Sequence, residues 1–596
     1  MTRCAAVSLR TALVGAAIVA TFACGGRPER AHPAPSTPAA PTRTPVPELG
    51  YLNETGEPVG TEGGTLVRRL TGEPATLDPI LQSTGAEAEV LQYLARNLFD
   101  FDAALHLVPG LAEGIQVSPD GLEYTVRIRP DAVWEDGSPV TARDAVFTIK
   151  RIMDSKVAAP VFKPLFEDCT DVSAVDDKTF RARFKEPYAF RAMAFVVPVI
   201  PESRYAAAAP RGGRGASRAA GEKTQARRPL SDGAYRIASW TAQQSIVLER
   251  NPRAWGAAGH FDRIVFRVVP DNTTGYRLLT SRELDEDELD SSLKRRAGAD
   301  ADFVSCCRTV EFYNLDYNYI ALNNRTPMFS DARVRRAVTM LLDRAAIVRG
   351  LYAGSARIIS GPWAPDSPAY DPNVAPLPFS PSEAARLLDE AGWRDSDGDG
   401  RRDRAGKPFE FELLVSAGSE VGRQIDETLA AELAKVGIAA HVRELEWAAF
   451  VERVDGGSFD AASLAWSAVD PNPDPYFYWD SSQCAPIGLN SGCYRNPEAD
   501  SLMREARREM DPAKRMEILH RLHRLFRDDA PAVFVVNATR KYAFARRVRG
   551  LTTSPLGLFG IWPGPLAWWA AGGAGNPAAA PALSPAQTPR AGSRAP

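Results

Sequence analysis

The chain has few of the residues that most often carry catalysis, and it has little net charge. Six histidines occur among its 596 residues, and the formal net charge is −3 with a pI near 6.2. It contains no Gly-x-Ser-x-Gly elbow, no His-Glu-x-x-His pair and no P-loop. Lysines and arginines alternate with acidic residues, so the chain lacks the cationic field that nucleic-acid binding needs. We therefore expect neither an enzyme nor a nucleic-acid partner.

Cysteine is scarce as well, with seven in the chain. Cys4 and Cys24 lie near the N-terminus, which leaves five in the body, and an odd count implies at least one free thiol. Cys484 and Cys493 flank a loop of Pro, Gly and Asn residues, so we predict that they form a disulfide in an oxidising compartment. The sequence leaves open the pairing of the remaining cysteines, which are Cys169, Cys306 and Cys307.

Long apolar runs are missing after the first 24 residues, since no later stretch approaches the length of about 18 that a membrane span needs. Residues 1–24 have a charged start, a short apolar run and small residues, which together indicate a signal peptide. Cys24 stands where bacterial lipoproteins carry their acylated cysteine. Cleavage after Ala23 without acylation and a retained anchor helix are the alternatives. We expect an exported protein, periplasmic or on the cell surface, that is anchored by lipid at Cys24.

Three segments have compositions that cannot bury a core, so we predict that they are disordered. Residues 25–59 are rich in Pro, Ala and Thr and suit a stalk between a lipid anchor and a folded body. Residues 206–228 form an insert rich in Ala, Gly and Arg, and residues 571–596 form a tail rich in Ala and Pro.

Strand and helix patterns alternate along the body, which predicts a mixed α/β fold. Tyr124, Val126 and Ile128 alternate with polar residues, as expected for a half-buried strand. Thr141 precedes Asp144 by three positions and an apolar run follows, which predicts a helix that starts with a capping box. The length of the chain favours two or three lobes over one core.

Two further helix starts are predicted in the second half. Ser330 precedes an apolar stripe at helical spacing and is expected to be the N-cap of that helix. Ser380 and Glu383 are expected to form a capping box with Pro381 at the first helical position.

A series of short motifs follows a fixed order along nearly the whole body. The motifs are GTLV (64–67), TLDP (76–79), PGLAE (109–113), SPDGL (118–122), WEDGSPVTA (134–142), LERNP (248–252), FSD (329–331), VRRA (334–337) and LLDEAGW (387–393). In this order they resemble the family 5 extracellular solute-binding proteins, which include peptide-binding and nickel-chelate-binding components of ABC importers.

The resemblance implies a two-lobed periplasmic-binding-protein clamshell of the class II type with an extra third domain. Lobe I is then expected at residues 60–100, 229–310 and 537–570, the extra domain at 101–228 and lobe II at 311–536. Ligand is expected in the cleft between the lobes, with hinge closure that an ABC permease and its ATPase recognise. We expect a monomer that captures peptides or peptide-like solutes. A ligand-presenting sensor and a binding protein for a non-peptide solute are the alternatives.

The resemblance also implies residues for the ligand site. Peptide-binding relatives carry an acid three residues after a tryptophan, and here Val469 occupies that position after Trp466 while the acid follows at Asp470. Trp466 as plain core and Asp470 as a turn residue before proline are the alternatives. Ser83, Thr84 and Gly85 fall where relatives present donors to ligand. Arg423 is a candidate partner for a ligand carboxylate because of its fork geometry.

Two groups of candidate metal ligands remain. A run of alternating acids matches part of a calcium loop, but Gly406 stands where the closing glutamate would be, which favours an acidic turn over a structural calcium site. The acids of this run are Asp395, Asp397, Asp399 and Asp403. His520 and His523 share a helical face with no third ligand nearby in sequence, so we interpret them as solvated helix positions. We expect no cofactor.

Overall fold

The computed structural model describes residues 62–206, 225–256, 259–466, 471–472, 474–486 and 488–571. The predicted signal peptide with Cys24, the stalk, most of the insert and almost all of the tail lie outside the described residues, as do Val469 and Asp470. None of the helices in these ranges combines the length and the apolar character that a membrane span requires.

Strands are distributed along the whole described chain. In order, β1 to β22 are Thr65–Leu70, Phe99–Phe101, Leu107–Pro109, Ala112–Val117, Glu123–Ile128, Cys169–Ala174, Thr179–Phe184, Tyr235–Thr241, Ser245–Arg250, Arg263–Val268, Glu286–Glu288, Cys307–Tyr313, Tyr317–Leu322, Ala356–Ile358, Asp403–Arg404, Lys407–Pro408, Glu410–Ser416, Ala439–Leu445, Ala461–Trp466, Ala532–Ala545, Val548–Arg549 and Trp569–Ala570.

Helices alternate with these strands. In order, α1 to α14 are Gly85–Leu94, Ala142–Met153, Glu202–Ala206, Asn272–Thr280, Ser291–Ala297, Ala301–Cys306, Ala332–Met340, Arg344–Gly350, Pro381–Glu390, Glu420–Lys435, Trp447–Asp455, Tyr476–Trp479, Pro497–Arg508 and Pro512–Asp529. Short 3-10 helices occur at Lys163–Phe166, Arg191–Phe195, Ser481–Gln483 and Gly564–Ala567.

One large sheet runs through both lobes. Its strands lie in the order β18-β17-β19-β13-β20-β11-β1-β10-β9-β8, and β12 and β14 also pair with β20. We call the part with β1 and β8–β12 lobe I, and the part with β13, β14 and β17–β19 lobe II. The long strand β20 belongs to both, because its first half pairs with β13 and β14 and its second half pairs with β11 and β12.

Two segments of chain cross between the lobes. One is β20, whose middle residues 538–541 are half-buried while the residues on either side are buried. The other is the link 314–316 between β12 and β13. The Asn537 side-chain amide donates to a main-chain oxygen at each end of this link, at 2.8 and 2.7 Å. Arg540 pairs with the Asp316 carboxylate at 3.1 Å. Side-chain contacts therefore hold the two crossing segments together.

A four-stranded antiparallel sheet in the order β4-β5-β7-β6 forms a third domain. Helix α2 packs against this sheet, and aromatic side chains fill the space between them. The Tyr124 ring meets the Phe184 ring edge-to-face at 5.6 Å, and Phe195 lies 5.8 Å from Tyr124. The predicted half-buried strand around Tyr124 is thus β5, one of the two central strands of this sheet, and Tyr124, Val126 and Ile128 belong to the core of the domain.

The predicted capping box at α2 is confirmed. The Thr141 hydroxyl accepts the Asp144 N–H at 3.4 Å, and the Asp144 carboxylate accepts the Thr141 N–H at 2.9 Å. Asp144 is buried, and its second oxygen accepts the Glu202 N–H at 2.9 Å. One acidic side chain therefore starts α2 and also fixes α3 to it.

The two helix starts predicted in the second half are wrong in detail. Asp331 caps α7 in place of Ser330 and accepts the Arg333 N–H at 2.8 Å. Ser380 makes no side-chain capping bond at α9, although Pro381 is the first helical residue as predicted. Glu383 instead pairs with Arg386 on the helix surface.

A buried acid lies inside lobe II, where α10 packs on β19. Asp426 has no exposed surface, and the Ser463 hydroxyl donates to its Oδ1. Burial raises the pKa of Asp426 to about 7, and the hydrogen bond from Ser463 opposes this rise. Between pH 4 and 7 the folded state thus holds more protons than the unfolded state, so stability falls as the pH rises through this range.

We expect Asp426→Asn to stabilise the protein at pH 8 by about 2 kcal/mol, because it removes a buried charge and keeps the acceptor for Ser463. The gain should shrink towards zero near pH 4. Denaturant unfolding of parent and variant at both pH values measures it. Glu517→Gln, which removes an exposed acid of α14, is the control and should show no such pH dependence. A gain for Asp426→Asn that is equal at both pH values would contradict the assignment.

Candidate functional site

A cavity of about 420 Å³ lies beside the N-terminus of α1. Its lining residues come from lobe I and the third domain, within residues 82–101, 161–196 and 559–566. Ser83, Thr84 and Gly85 are among them, so the structure brings these three predicted residues together on one wall. The volume is within the range of about 300–1,000 Å³ that is usual for small-molecule sites.

Glu87 holds the loop that carries this wall. Its buried carboxylate accepts the Ser83 N–H at 2.6 Å and the Thr84 N–H at 2.9 Å, and the Thr84 hydroxyl accepts the Glu87 N–H at 3.4 Å. This is a capping box at the start of α1. Because the Ser83 N–H, the Ser83 hydroxyl and the Thr84 N–H all donate to Glu87, the donors that this loop can offer a ligand are the Thr84 hydroxyl and the Gly85 N–H.

The polar floor of the cavity is neutralised within the protein. Asp100 accepts a hydrogen bond from the Asn97 amide at 2.9 Å, and Arg96 approaches its carboxylate at 3.7 Å. Burial raises the pKa of Asp100, while Arg96 and Asn97 oppose this rise. The Arg96 guanidinium also lies 3.3 Å from the centre of the Trp562 ring. The floor therefore presents paired charges and an aromatic face.

Trp466 lies on a different surface, in lobe II. It is the last residue of β19, is half-buried, and its ring centre is 4.0 Å from that of Tyr478. It lines a gap of about 40 Å³, which is room for little more than one water molecule. The structure therefore does not bring Trp466 onto the wall formed by Ser83–Gly85.

Asp474 follows Trp466 in the same stretch and joins lobe II to the third domain. Its carboxylate accepts the Tyr188 hydroxyl at 2.7 Å and pairs with Arg507 at 3.4 Å. Burial raises the pKa of Tyr188 well above its usual value, and the nearby Asp474 charge adds to this rise. The Ala189 N–H donates to the Arg507 carbonyl at 2.8 Å. The sequence analysis did not predict the contact between Asp474 and Tyr188. The signal for it in the sequence was a second Asp-Pro pair after Trp466.

The family model described as bacterial extracellular solute-binding proteins, family 5 Middle, matches residues 106–485. The chain belongs to this family. It is 27% identical over 500 residues to the oligopeptide-binding protein AppA of Bacillus subtilis, which covers 83% of this chain and 90% of AppA. It is also 27% identical over 519 residues to the periplasmic oligopeptide-binding protein OppA of Salmonella typhimurium, which covers 80% and 88%.

Solved structures confirm the two-lobed α/β fold that the family resemblance implied. AppA of Bacillus subtilis in complex with a nonapeptide superposes with a TM-score of 0.69 at 26% identity, and covers 86% of this chain and 100% of that one. NikZ from Campylobacter jejuni in complex with Ni(L-His) gives a TM-score of 0.71 at 21% identity, covering 85% and 99%. The latter likeness concerns the fold alone.

Arg423 of this family 5 protein does not reach the cavity wall. It lies on α10, where its guanidinium pairs with Glu420 at 2.7 Å and with Glu427 at 2.5 Å. Both acids lie one turn away on the same helix, so the hydrogen-bond donors of the Arg423 guanidinium are already used within α10. A ligand carboxylate would have to displace them.

The acidic run after α9 folds into a loop. The carboxylates of Asp395, Asp397 and Asp399 come within 4.8 Å of one another, and all three residues are exposed. Asp403 is directed elsewhere, because its carboxylate accepts the Ser396 N–H at 3.1 Å. Asp395 accepts the N–H groups of residues 398 and 400 at 2.7 and 3.0 Å. These are the internal bonds of an acidic turn.

The structure joins Cys484 to Cys493 by a disulfide bond, as the loop composition predicted. It also joins the neighbours Cys306 and Cys307, whose pairing the sequence left open. Cys169 is a buried free thiol, and burial raises its pKa to about 11.

The interpretation of His523 as a solvated residue is wrong, because it is fully buried beside Ser360. Its Nδ1 accepts the Asp371 N–H at 3.0 Å, so the ring hydrogen is on Nε2, which lies 3.0 Å from the Ser360 hydroxyl. Burial lowers the pKa of His523 to about 4. In this tautomer Nε2 donates to the serine and cannot take its proton, so the pair is not a nucleophile and base.

We expect Glu87→Ala to destabilise the loop by about 1–2 kcal/mol, because two main-chain donors lose their buried acceptor. Hydrogen exchange of the Ser83 and Thr84 amides should then become faster than in the parent. Glu87→Gln retains an acceptor oxygen and is the matched control. Unchanged exchange at both amides in Glu87→Ala would show that other contacts hold the wall.

Proposed function

We propose that this protein is the extracytoplasmic substrate-binding component of an ABC importer. It captures peptides or peptide-like solutes between its lobes and delivers them to a membrane permease and its ATPase. The proposal is carried by one arrangement in a chain of family 5. A cavity wall lies on lobe I and an aromatic surface lies on lobe II, and two crossing segments of chain join the two lobes. The similarity to AppA and OppA, both named as oligopeptide-binding proteins, supports the choice of peptides.

Closure follows from the way in which the lobes are connected. The crossing segments 314–316 and 538–541 are short and are held together by Asn537, so the lobes can rotate about this point as rigid bodies. A ligand shifts the population towards the closed state only through contacts that this state alone provides. The permease would then distinguish loaded from empty protein by shape.

The ligand contacts that we propose come from both lobes. On lobe I, Gly85 and the Thr84 hydroxyl donate to ligand oxygens, with Ser83 shaping the wall. On lobe II, Trp466 and Val469 give an apolar surface, and Asp470 is the candidate partner for a ligand amine. An amine that pairs with a buried carboxylate would be selected strongly, because the unpaired acid is costly.

We expect calorimetry to detect binding of peptides of two to nine residues, and small-angle scattering to show compaction of the loaded protein. A solvent-only titration is the control for each. If a broad pool of such peptides neither releases heat nor raises the melting temperature, the peptide proposal fails.

The same titrations test Asp470 with matched free and N-acetylated peptides. If Asp470 meets the ligand amine, Asp470→Asn should cost about 2–5 kcal/mol with free peptides and little with acetylated ones. If Val469 occupies that place, both peptide forms should bind equally to the parent and the variant. We expect the second outcome, because Pro471 favours a turn role for Asp470.

We further propose that Cys24 carries the lipid that holds the protein at the membrane. The support is its position after the apolar run and before a Pro-rich segment. Cys24→Ser should move the protein from the membrane fraction to the soluble fraction, whereas Cys4→Ser should leave it in place. A Cys24→Ser protein that stays with the membranes would refute the anchor.

A further inference from the structure

A second cavity, of about 480 Å³, lies between the third domain and lobe II. The third domain contributes residues within 164–168 and 185–194, and lobe II contributes α12 and the last turn of α13. Tyr188, Tyr476 and Phe477 form aromatic parts of its wall. Of the residues that we predicted for the ligand site, those that the structure describes do not line this cavity.

Two side chains form a wall that this cavity shares with the first one. Leu165 and Met193 of the third domain line both. Both are apolar, and methionine adapts easily to a passing ligand because its side chain is unbranched. An extended ligand that displaces these two side chains would pass from the first cavity into the second.

Charged side chains line the rim of the second cavity, and most of its cationic groups already have an acidic partner. Five cationic and three acidic side chains line it: Lys185, Arg191, Arg504, Arg507 and Arg508, against Glu167, Asp168 and Glu186. Arg191 is engaged with Asp168. Arg508 faces Glu186 at 3.7 Å with both side chains largely exposed, which makes a weak pair.

Arg504 and Arg507 differ in how their charge is used. Arg507 is a fixed part of the wall, since it pairs with Asp474 and its guanidinium lies 4.1 Å from the centre of the Tyr476 ring. Arg504 pairs with the buried Asp480 at 3.0 Å, yet 47% of its side chain is exposed. A guanidinium has five N–H donors, so Arg504 retains donors for a second acceptor.

We propose that this cavity is an extension subsite that binds a carboxylate of a peptide-like ligand too long for the first cavity. The proposal rests on the proposed function. The planar forks of Arg504 and Arg508 match a carboxylate, and the aromatic wall suits the apolar part of the residue that carries it. The carboxylate can be the C-terminus of the ligand or an acidic side chain near that end.

The test uses alanine-based peptides of three and nine residues, each as the free acid and as the C-terminal amide. The parent protein should bind the long acid about tenfold more tightly than the long amide, and should bind the two short forms equally. Arg504→Ser/Arg508→Ser should abolish the preference for the long acid. Arg521→Ser, which removes an exposed arginine of α14 that does not line the cavity, should retain it.

Further measurements distinguish a C-terminal carboxylate from a side-chain carboxylate and check that the variants fold. A nine-residue amide with glutamate next to its end should bind like the acid if a side-chain carboxylate suffices, and like the plain amide if the terminus is required. Because Arg504 contacts the buried Asp480, Lys185→Ser/Arg508→Ser is a second variant that leaves this contact intact, and it should weaken the preference. Melting temperatures check that each variant is folded.

The outcomes distinguish the two proposals. If no peptide binds to the parent, the proposed function fails and the subsite fails with it. If peptides bind but long acids, long amides and glutamate-containing amides bind equally, the subsite alone is refuted. A preference that survives in both folded double variants also refutes it.

Discussion

The hydrogen bonds of one buried side chain, Asn537, hold the two lobes in register. Its amide nitrogen donates to both ends of the 314–316 link, and its oxygen accepts from Arg357 at 3.1 Å. Leaving such a buried amide without partners would cost about 1–3 kcal/mol, so the crossing segments are kept together when the lobes move. Both ligand surfaces are positioned relative to this point, because β19 and β1 lie on opposite sides of β20 in the same sheet.

The charges next to the cavities are already balanced inside the protein. Arg68 is buried and pairs with Glu286 at 2.9 Å, and Asp100 lies beside Arg96 and accepts a hydrogen bond from Asn97. A buried charge without a partner is strongly unfavourable, which explains why these groups come in pairs. Charged groups that are paired inside the protein contribute little to the selection of a charged ligand. Exposed groups such as Arg508 are less constrained in this respect, because their internal partners are weak.

The parts of the fold that depend on local pattern could be predicted from the sequence, and those that depend on distant contacts could not. Alternation gave the strand around Tyr124, and side-chain spacing gave the capping box of Thr141, because both are fixed by residues a few positions apart. The Ser83–Gly85 wall was found through the family resemblance. His523 was misjudged because Ser360 and Asp371, which bury and bond it, lie more than 150 positions away. The contact between Tyr188 and Asp474 spans 286 positions, and no periodicity reports on it.

The stretch after Trp466 contains two acids, and each precedes a proline, so the sequence treats Asp470 and Asp474 alike. The structure describes Asp474 and gives it a role within the protein. The carboxylate of Asp474 accepts the Tyr188 hydroxyl and pairs with Arg507, so its charge is used to join lobe II to the third domain. A ligand amine that drew Asp474 away would have to break both contacts and leave Arg507 unpaired against aromatic rings. If an acid of this stretch pairs with a ligand amine, the contacts of Asp474 therefore leave Asp470 as the candidate. If neither acid does so, the cleft recognises its ligand without a carboxylate from this stretch.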